Sequence, residues 1–177
     1  PCLIKSPCQG SSIGMAIPKD EAHFKKSLLD VFMYGDLVMV EKFVKGTEVT
    51  CAVLDVEDGK SPRALPVIEI CPVDSEFFDY HAKYTPGACN ELVPARISAE
   101  ATKKVQAVAE RVHHVIGCSG FSRSDMILDG DDPVWIEINT IPGMTETSLY
   151  PQAAAAAGVS FSQMLTLFVE EALGRNS

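Results

Sequence analysis

Several things are missing from this chain of 177 residues, and each absence narrows what the protein can be. There is no basic excess. Lys and Arg number 15 against 24 Asp and Glu, for a formal net charge of −9, so the positive surface of a nucleic-acid binder is lacking. That balance leaves room for a nucleotide ligand, because a few local cations and a metal can hold a triphosphate on an acidic protein. No apolar run approaches the roughly 18 residues of a membrane span, and no signal peptide is visible. The six cysteines (Cys2, Cys8, Cys51, Cys71, Cys89, Cys118) form no C-x-x-C pair. Set in or beside apolar runs, they read as buried reduced thiols and point to a cytoplasmic setting. The P-loop pattern is absent. His113 and His114 lack the i, i+4 spacing of a helical metal pair and read as part of a solvated face. There are no internal repeats, and the alanine run at 153–157 is simply helix-favouring. An initiating Met is also missing: Pro1-Cys2-Leu3-Ile4-Lys5 enters an apolar strand at once, which reads as the C-terminal piece of something longer.

What is present is an ordinary globular composition, 46% hydrophobic and 22% charged. A strand opens the chain and a Gly/Ser loop, Gln9-Gly10-Ser11-Ser12-Ile13-Gly14, comes after it. Met15-Ala16-Ile17 reads as a second short strand. Asp20 caps a helix to about residue 34, with Phe24, Leu28, Leu29 and Phe32 as its apolar stripe. Residues 36–43, 47–56 and 64–71 read as strands, with turns at Gly46 and at Asp58-Gly59. Residues 72–94 form the longest irregular stretch and so a candidate functional loop. Ser98 caps a helix to about Ile116, with Val105, Val108, Ala109 and Val112 inward. A strand pair comes next, then helices at 149–157 and 160–173 that break at Gly158. The class is α+β with mainly antiparallel hairpins, and the break between lobes falls near Pro72.

The strand pair near the C-terminus carries the chemistry. Arg123-Ser124-Asp125 lies on one apolar run, and Trp135-Ile136-Glu137-Ile138-Asn139 on the next. Alternation along a strand puts Glu137 and Asn139 on one face, shared by Trp135, with Ile136 and Ile138 on the other. Two carboxylates and an amide on rigid strands are hard oxygen ligands of the kind Mg²⁺ takes when it is shared with phosphates. Carboxylates that interrupt apolar runs are costly to turn inward without a cation. Pro142-Gly143-Met144-Thr145-Glu146-Thr147-Ser148-Leu149 then offers N–H groups and hydroxyls near a helix start, suited to a substrate carboxylate or an oxyanion. Elsewhere the signals are weaker. Lys5 with the loop after it suits phosphate, and it equally fits a strand lysine whose stem snorkels along an apolar surface. Glu48, after Glu41-Lys42-Phe43-Val44, could accept from ribose hydroxyls or merely keep an edge strand soluble.

In this order, the motifs Ile-Lys-Ser-Pro-Cys-Gln-Gly-Ser-Ser-Ile-Gly-Met, Val-Glu-Lys-Phe-Val-Lys-Gly-Thr-Glu-Val-Thr, Phe-Asp-Tyr-His-Ala-Lys-Tyr, Gly-Phe-Ser-Arg-Ser-Asp and Glu-Ile-Asn-Thr-Ile-Pro-Gly-Met-Thr form a recognisable set. The chain resembles the C-terminal part of the D-alanine–D-alanine ligase family of the ATP-grasp superfamily, along essentially its whole length. The resemblance implies two α+β lobes, a small nucleotide-binding lobe at 1–71 and a catalytic lobe at 72–177, with the family's N-terminal domain missing. It implies ATP and two Mg²⁺ (or Mn²⁺) ions, the metals held by Asp125, Glu137 and Asn139. Lys5 would contact ATP phosphates; Glu41, Lys42, Val44 and Glu48 would line the adenine and ribose pocket; Lys83, near the Ser11 and Tyr84 set, would also serve the nucleotide. Arg123 and the Gly143 N–H would stabilise the tetrahedral intermediate, Ser148 and Leu149 would fix the second D-alanine carboxylate, and Ser11 and Tyr84 would close the site. The Lys83-Tyr84 pair looks like the type that makes D-alanyl-D-alanine rather than a depsipeptide. The implied setting is the cytoplasm, the implied role peptidoglycan precursor synthesis for the cell wall, and the implied assembly a homodimer in full-length form, without nucleic-acid or membrane partners. A fragment of such an enzyme is expected to be nearly inactive alone. The alternatives are another ATP-grasp carboxylate–amine ligase or a nucleotide-binding module without activity.

Overall fold

The computed structural model describes residues 1–10, 13–55, 62–72 and 89–174. Its contacts divide the chain into two units, Pro1–Val44 with Pro72–Asn90, and Lys45–Cys71 with Glu91–Ser177. A boundary between the units does fall between Cys71 and Pro72, but residues 1–71 and 72–177 are not themselves the two units, because strands on both sides of Pro72 belong to one sheet. The turn expected at Asp58-Gly59 and most of the 72–94 loop lie outside the described residues.

In the first unit β1 (Cys2–Lys5) pairs antiparallel with β2 (Met39–Lys42), Leu3 opposite Glu41 and Lys5 opposite Met39. Ile4, fully buried, exchanges two backbone hydrogen bonds of 2.8 Å with Ala16, so the strand expected at Met15–Ile17 is a single bridge. Helix α1 (Glu21–Phe32) starts where Asp20 Oδ1 accepts from the His23 N–H at 2.8 Å, satisfying one of the free donors of its first turn. Its inward stripe is Phe24, Ser27, Leu28 and Val31, while Leu29 and Phe32 are exposed. The expected stripe had the right period but the wrong phase. Positions 24, 27, 28 and 31 keep the i, i+3, i+4, i+7 rule, and a small serine holds one of them.

The second unit is built on a six-stranded sheet ordered β6-β5-β3-β7-β8, with β4 beside β3. Its strands are β3 (Thr47–Asp55), β4 (Arg63–Ala64), β5 (Ile68–Pro72), β6 (Cys89–Leu92), β7 (Gly120–Asp129) and β8 (Asp132–Asn139). The single strand expected over 64–71 is split at Pro66, which has no N–H to give to a ladder. β3 runs antiparallel to β7 from Thr47 opposite Leu128 to Asp55 opposite Gly120. One face carries Val49, Cys51, Val53, Met126 and Leu128 against Ala101, Val105 and Ala109 of α2 (Ala99–Ile116). The other carries Ala52, Leu54 and Phe121 against Tyr150, Ala153, Ala154 and Met164 of α3 (Leu149–Ala156) and α4 (Phe161–Gly174). Because both faces are covered, residues 49–54 of β3 are all buried and, Thr50 apart, apolar, rather than alternating.

His113 corrects the solvated-face expectation. It is 1% exposed, with Nδ1 2.8 Å from Ser122 Oγ and Nε2 3.2 Å from Asp55 Oδ2; its neighbour His114 is exposed. It continues the buried stripe of Ala101, Val105 and Ala109 at intervals of four, and its ring can bury there because both nitrogens find partners. Cys2, Cys8, Cys51, Cys71 and Cys118 are free, and of these only Cys51 is buried, where burial and the Glu110 charge push its thiol up to about 12. Cys8 is exposed. No single described helix is long and apolar enough to cross a membrane.

Glu69 ties β5 to the chain before α2. Arg96 reaches it with Nη2 at 2.7 Å, Nε at 3.1 Å and its backbone N–H at 2.9 Å. Those bonds outweigh burial and lower the Glu69 carboxyl from its ordinary 4.5 to about 2. A folded-state pKa below the unfolded one adds stability that is full above about 4.5 and is lost as pH falls towards about 2. Glu69→Gln is therefore expected to cost about 2–3 kcal/mol at neutral pH and to flatten stability against pH across that window, measured by urea denaturation. An unchanged pH slope would contradict this.

Candidate active site on the β7–β8 hairpin

The hairpin turns at Gly130, whose φ of 64° suits a residue without Cβ. From the turn outward its register is regular as far as Met126 opposite Trp135, and a β-bulge then shifts it between Met126 and Asp125. Asp125 stands opposite Glu137 and Arg123 opposite Asn139, whereas Met126 stands opposite Trp135, which leaves Ile136 as the extra residue. Paired residues share a face, so Trp135 goes with Met126 to the α2 side. Asp125, Glu137, Arg123 and Asn139 take the other side, with Ala52, Leu54 and Phe121. The expectation that Trp135 shares the polar face is thereby corrected, and the bulge is the reason. Strict alternation cannot survive an inserted residue.

Asp125 is the centre of this group. Arg123 grips it with Nε at 3.0 Å from Oδ1 and Nη2 at 2.9 Å from Oδ2. Asn139 Nδ2 donates to Oδ2 at 3.0 Å, and Thr50 Oγ1 to Oδ1 at 2.6 Å. The Arg123 and Asp125 side chains are 16% and 14% exposed, so their charges are largely withdrawn from water. Burial alone would lower the Arg123 guanidinium pKa. The charge and hydrogen bonds of Asp125, then the charges of Glu137 and Glu91, outweigh it and raise it. Arg123 thus holds one carboxylate directly and feels the charges of two more, with Glu137 open to solvent. Opposed carboxylates with an amide beside them fit a hard divalent cation. Among the described residues there is no cluster of three or more His, Cys, Asp or Glu placed for a metal, so a cation here would also need the Asn139 amide and outside oxygens.

The segment after β8 folds back on itself. A Cβ on Gly143 would lie 2.9 Å from Ser148 Oγ, so a side chain there would make that hydroxyl shift. Ser148 precedes α3, but its hydroxyl makes no cap bond to that helix. Oγ accepts instead from the Thr145 N–H at 3.1 Å and meets Thr145 Oγ1 at 2.8 Å. Leu149 packs on the core under α3. Tyr150 next to it is fully buried, donates to the Val53 carbonyl at 2.9 Å, and sets its ring edge-on to Phe121 and Phe168. This fixes where the 140–149 segment rejoins the body of the unit.

In the first unit the Lys5 Nζ and Glu41 Oε2 form an ion pair of 2.7 Å on one face of the β1–β2 ribbon. Lys42 points to the opposite face and is exposed; Val44 is half-buried at the end of that unit. Glu48 belongs to the second unit, on β3 opposite Ile127 and Ile70. Ser11, Lys83 and Tyr84 lie outside the described residues.

Sequence reasoning missed two members of this neighbourhood, Thr50 and Glu91. Glu91 is reached by Gln152 Nε2, which also donates to the Thr147 carbonyl at 2.9 Å and so links β6 to the 140–148 segment. No local motif marks either residue. Thr50 could have been noticed as the single hydroxyl inside the apolar run of 49–54.

A family model described as the D-ala D-ala ligase C-terminus matches residues 1–170. The D-alanine–D-alanine ligase of Syntrophobacter fumaroxidans is 46% identical over 174 residues, covering 98% of this chain and 55% of the relative. That of Halalkalibacterium halodurans is 43% identical over 175 residues, covering 98% and 56%. The Bacillus anthracis D-alanine–D-alanine ligase solved in complex with ATP superposes with a TM-score of 0.79 at 31% identity, covering 98% of this chain and 52% of that one. A D-Ala:D-Ser ligase from Enterococcus faecalis superposes at 0.80 with 38% identity, covering 96% and 48%. The chain thus spans about half the length of the relatives it matches. Its architecture is the α+β ATP-grasp fold of those ligases. On the matched model and these identities, the chain belongs to the D-alanine–D-alanine ligase C-terminal family.

Proposed function

We propose that this chain supplies the catalytic part of an ATP-dependent ligase that joins two D-alanine molecules for peptidoglycan precursor synthesis in the cytoplasm. The observation that carries the reading is the direct opposition of Asp125 and Glu137, flanked by Arg123 and Asn139 on one face of a rigid hairpin.

A carboxylate is a poor electrophile at neutral pH. Transfer of the γ-phosphoryl group of ATP to the first D-alanine carboxylate gives an acyl phosphate, which the amine of the second D-alanine attacks. The phosphate then leaves and the amine loses a proton. Asp125, Glu137 and Asn139 would hold Mg²⁺, which would supply neutralisation of phosphate charge. Arg123 and the Gly143 N–H hold the oxyanion as it develops. Ser148 and the Leu149 N–H orient the second carboxylate, using donors that a helix start leaves free. Lys5 is assigned to the ATP phosphates, and Glu41, Lys42, Val44, Glu48 and Lys83 to binding the nucleotide. Ser11 and Tyr84 complete a closure that keeps water from the acyl phosphate. The full-length protein is read as a homodimer.

The test is phosphate release by the full-length protein with ATP, Mg²⁺ and a panel of amino acids. D-Serine belongs in the panel, because a D-Ala:D-Ser ligase shares the fold. D-Alanine is expected to stimulate release most. Glu137→Gln is expected to lower it at least about a hundredfold with folding intact, because a carboxylate is exchanged for a neutral amide at the metal. Equal activity of Glu137→Gln and wild type would sink the metal assignment. A preference for another acceptor would sink the substrate.

A further inference from the structure

Thr50 is the one hydroxyl in a stretch of β3 whose other members, Val49 and residues 51–54, are apolar and buried. It is 1% exposed and stands directly opposite Asp125. Its Oγ1 lies 2.6 Å from Asp125 Oδ1 and 3.2 Å from the Ser124 carbonyl oxygen. A hydroxyl has one proton to give, and the shorter contact has the length of a charge-assisted O–H···O⁻ bond, so the carboxylate receives it. Packing alone does not call for a hydroxyl here, since valine has nearly the same shape and suits a buried central strand better.

An ionised carboxylate offers about four acceptor positions. Those of Asp125 are taken twice by Arg123 and once each by Asn139 and Thr50. Arg123 is long and can swing away, and Asn139 can turn its amide oxygen where its N–H now points. Thr50 can do neither, because one stiff torsion and full burial keep its hydroxyl where it is. We propose that Thr50 is a positioning residue that holds Asp125 in the rotamer needed to ligate the divalent cation. The inference rests on the metal reading above and names the buried contact that aims its central ligand. Outer contacts of this kind set metal affinity by about 10–100-fold.

The experiment titrates Mn²⁺ into the full-length protein saturated with a non-hydrolysable ATP analogue, with bound Mn²⁺ read by electron paramagnetic resonance. Thr50→Val is expected to weaken Mn²⁺ binding about tenfold while Tm stays within a few degrees of wild type. Thr50→Ser, which keeps the hydroxyl, is expected to restore most of that affinity, a rescue that a packing role would not give. Asp125→Asn separates the two readings. If it binds Mn²⁺ like wild type, the metal site itself is wrong. If it loses Mn²⁺ while Thr50→Val keeps wild-type affinity, only the positioning role falls. Should Thr50→Val fail to fold, Thr50→Ala and Thr50→Ser give the same contrast, and equal affinity in those two overturns the inference.

Discussion

Replacing Arg123 with glutamine is expected to lower ligase turnover in the full-length protein by about a hundred- to a thousandfold, the usual effect of removing one oxyanion donor. The same change removes the cation that pairs with Asp125 and whose charge Glu137 and Glu91 also feel. Asp125 keeps its hydrogen bonds from Thr50 and Asn139 but loses its compensating charge in a site only 14% exposed. Breaking a buried pair from one side is costly, and about 2–4 kcal/mol of stability should be lost in chelator-treated protein. Part of that loss should return on adding Mg²⁺, since a ligand that binds only the folded state raises Tm. Mn²⁺ affinity should not fall, because Arg123 competes with a metal for the Asp125 oxygens. Two readouts that move in opposite directions make the prediction sharp. Unchanged turnover, or Mn²⁺ affinity lost to the same degree as in Asp125→Asn, would reduce Arg123 to a structural counter-ion.

Features set by local rules were legible in the sequence. Asp20 and Ser98 cap helices because their side chains reach an N–H three residues on, a signal contained in the adjacent residues. The Asp125, Glu137 and Asn139 cluster was legible because polar residues stood where strands wanted apolar ones. Features that escaped depended on register or on distant partners. The bulge at Ile136 moved Trp135 to the other face, and nothing in Trp135-Ile136-Glu137 announces an inserted residue. His113 looked solvated beside His114 because its partners, Asp55 and Ser122, come from two other strands. Thr50 was overlooked for the same reason, its partner lying 75 residues away. A boundary at Pro72 was legible from composition, but not which pieces belong together, because the units obey strand pairing, in which β3 finds β7 across the intervening chain.

The largest stability effect expected from a single methyl group is at Gly46. A Cβ there would sit 1.8 Å from the Leu128 carbonyl oxygen and 2.8 Å from its carbon. Both obstacles are backbone, so no rotamer change relieves them, and β3 and β7 must part at Thr47 opposite Leu128. Gly46→Ala is therefore expected to cost about 3 kcal/mol or more, beyond ordinary overpacking, because ladder bonds are lost as well as space. Gly117 provides the contrast. It ends α2 with φ 75° and nothing within 4 Å of an added Cβ, so alanine there meets only conformational strain. That costs about 1 kcal/mol. Urea denaturation of the two variants beside wild type measures the difference. The Gly46 change should also reach the site, since Thr50 opposite Asp125 lies only three register pairs beyond the disturbed one. Gly46→Ala should thus weaken Mn²⁺ binding in the nucleotide-saturated protein, and Gly117→Ala should leave it alone. Equal costs for the two alanines would show that β3 and β7 can separate at that end without strain, and the register that sets Thr50 against Asp125 would then need another origin.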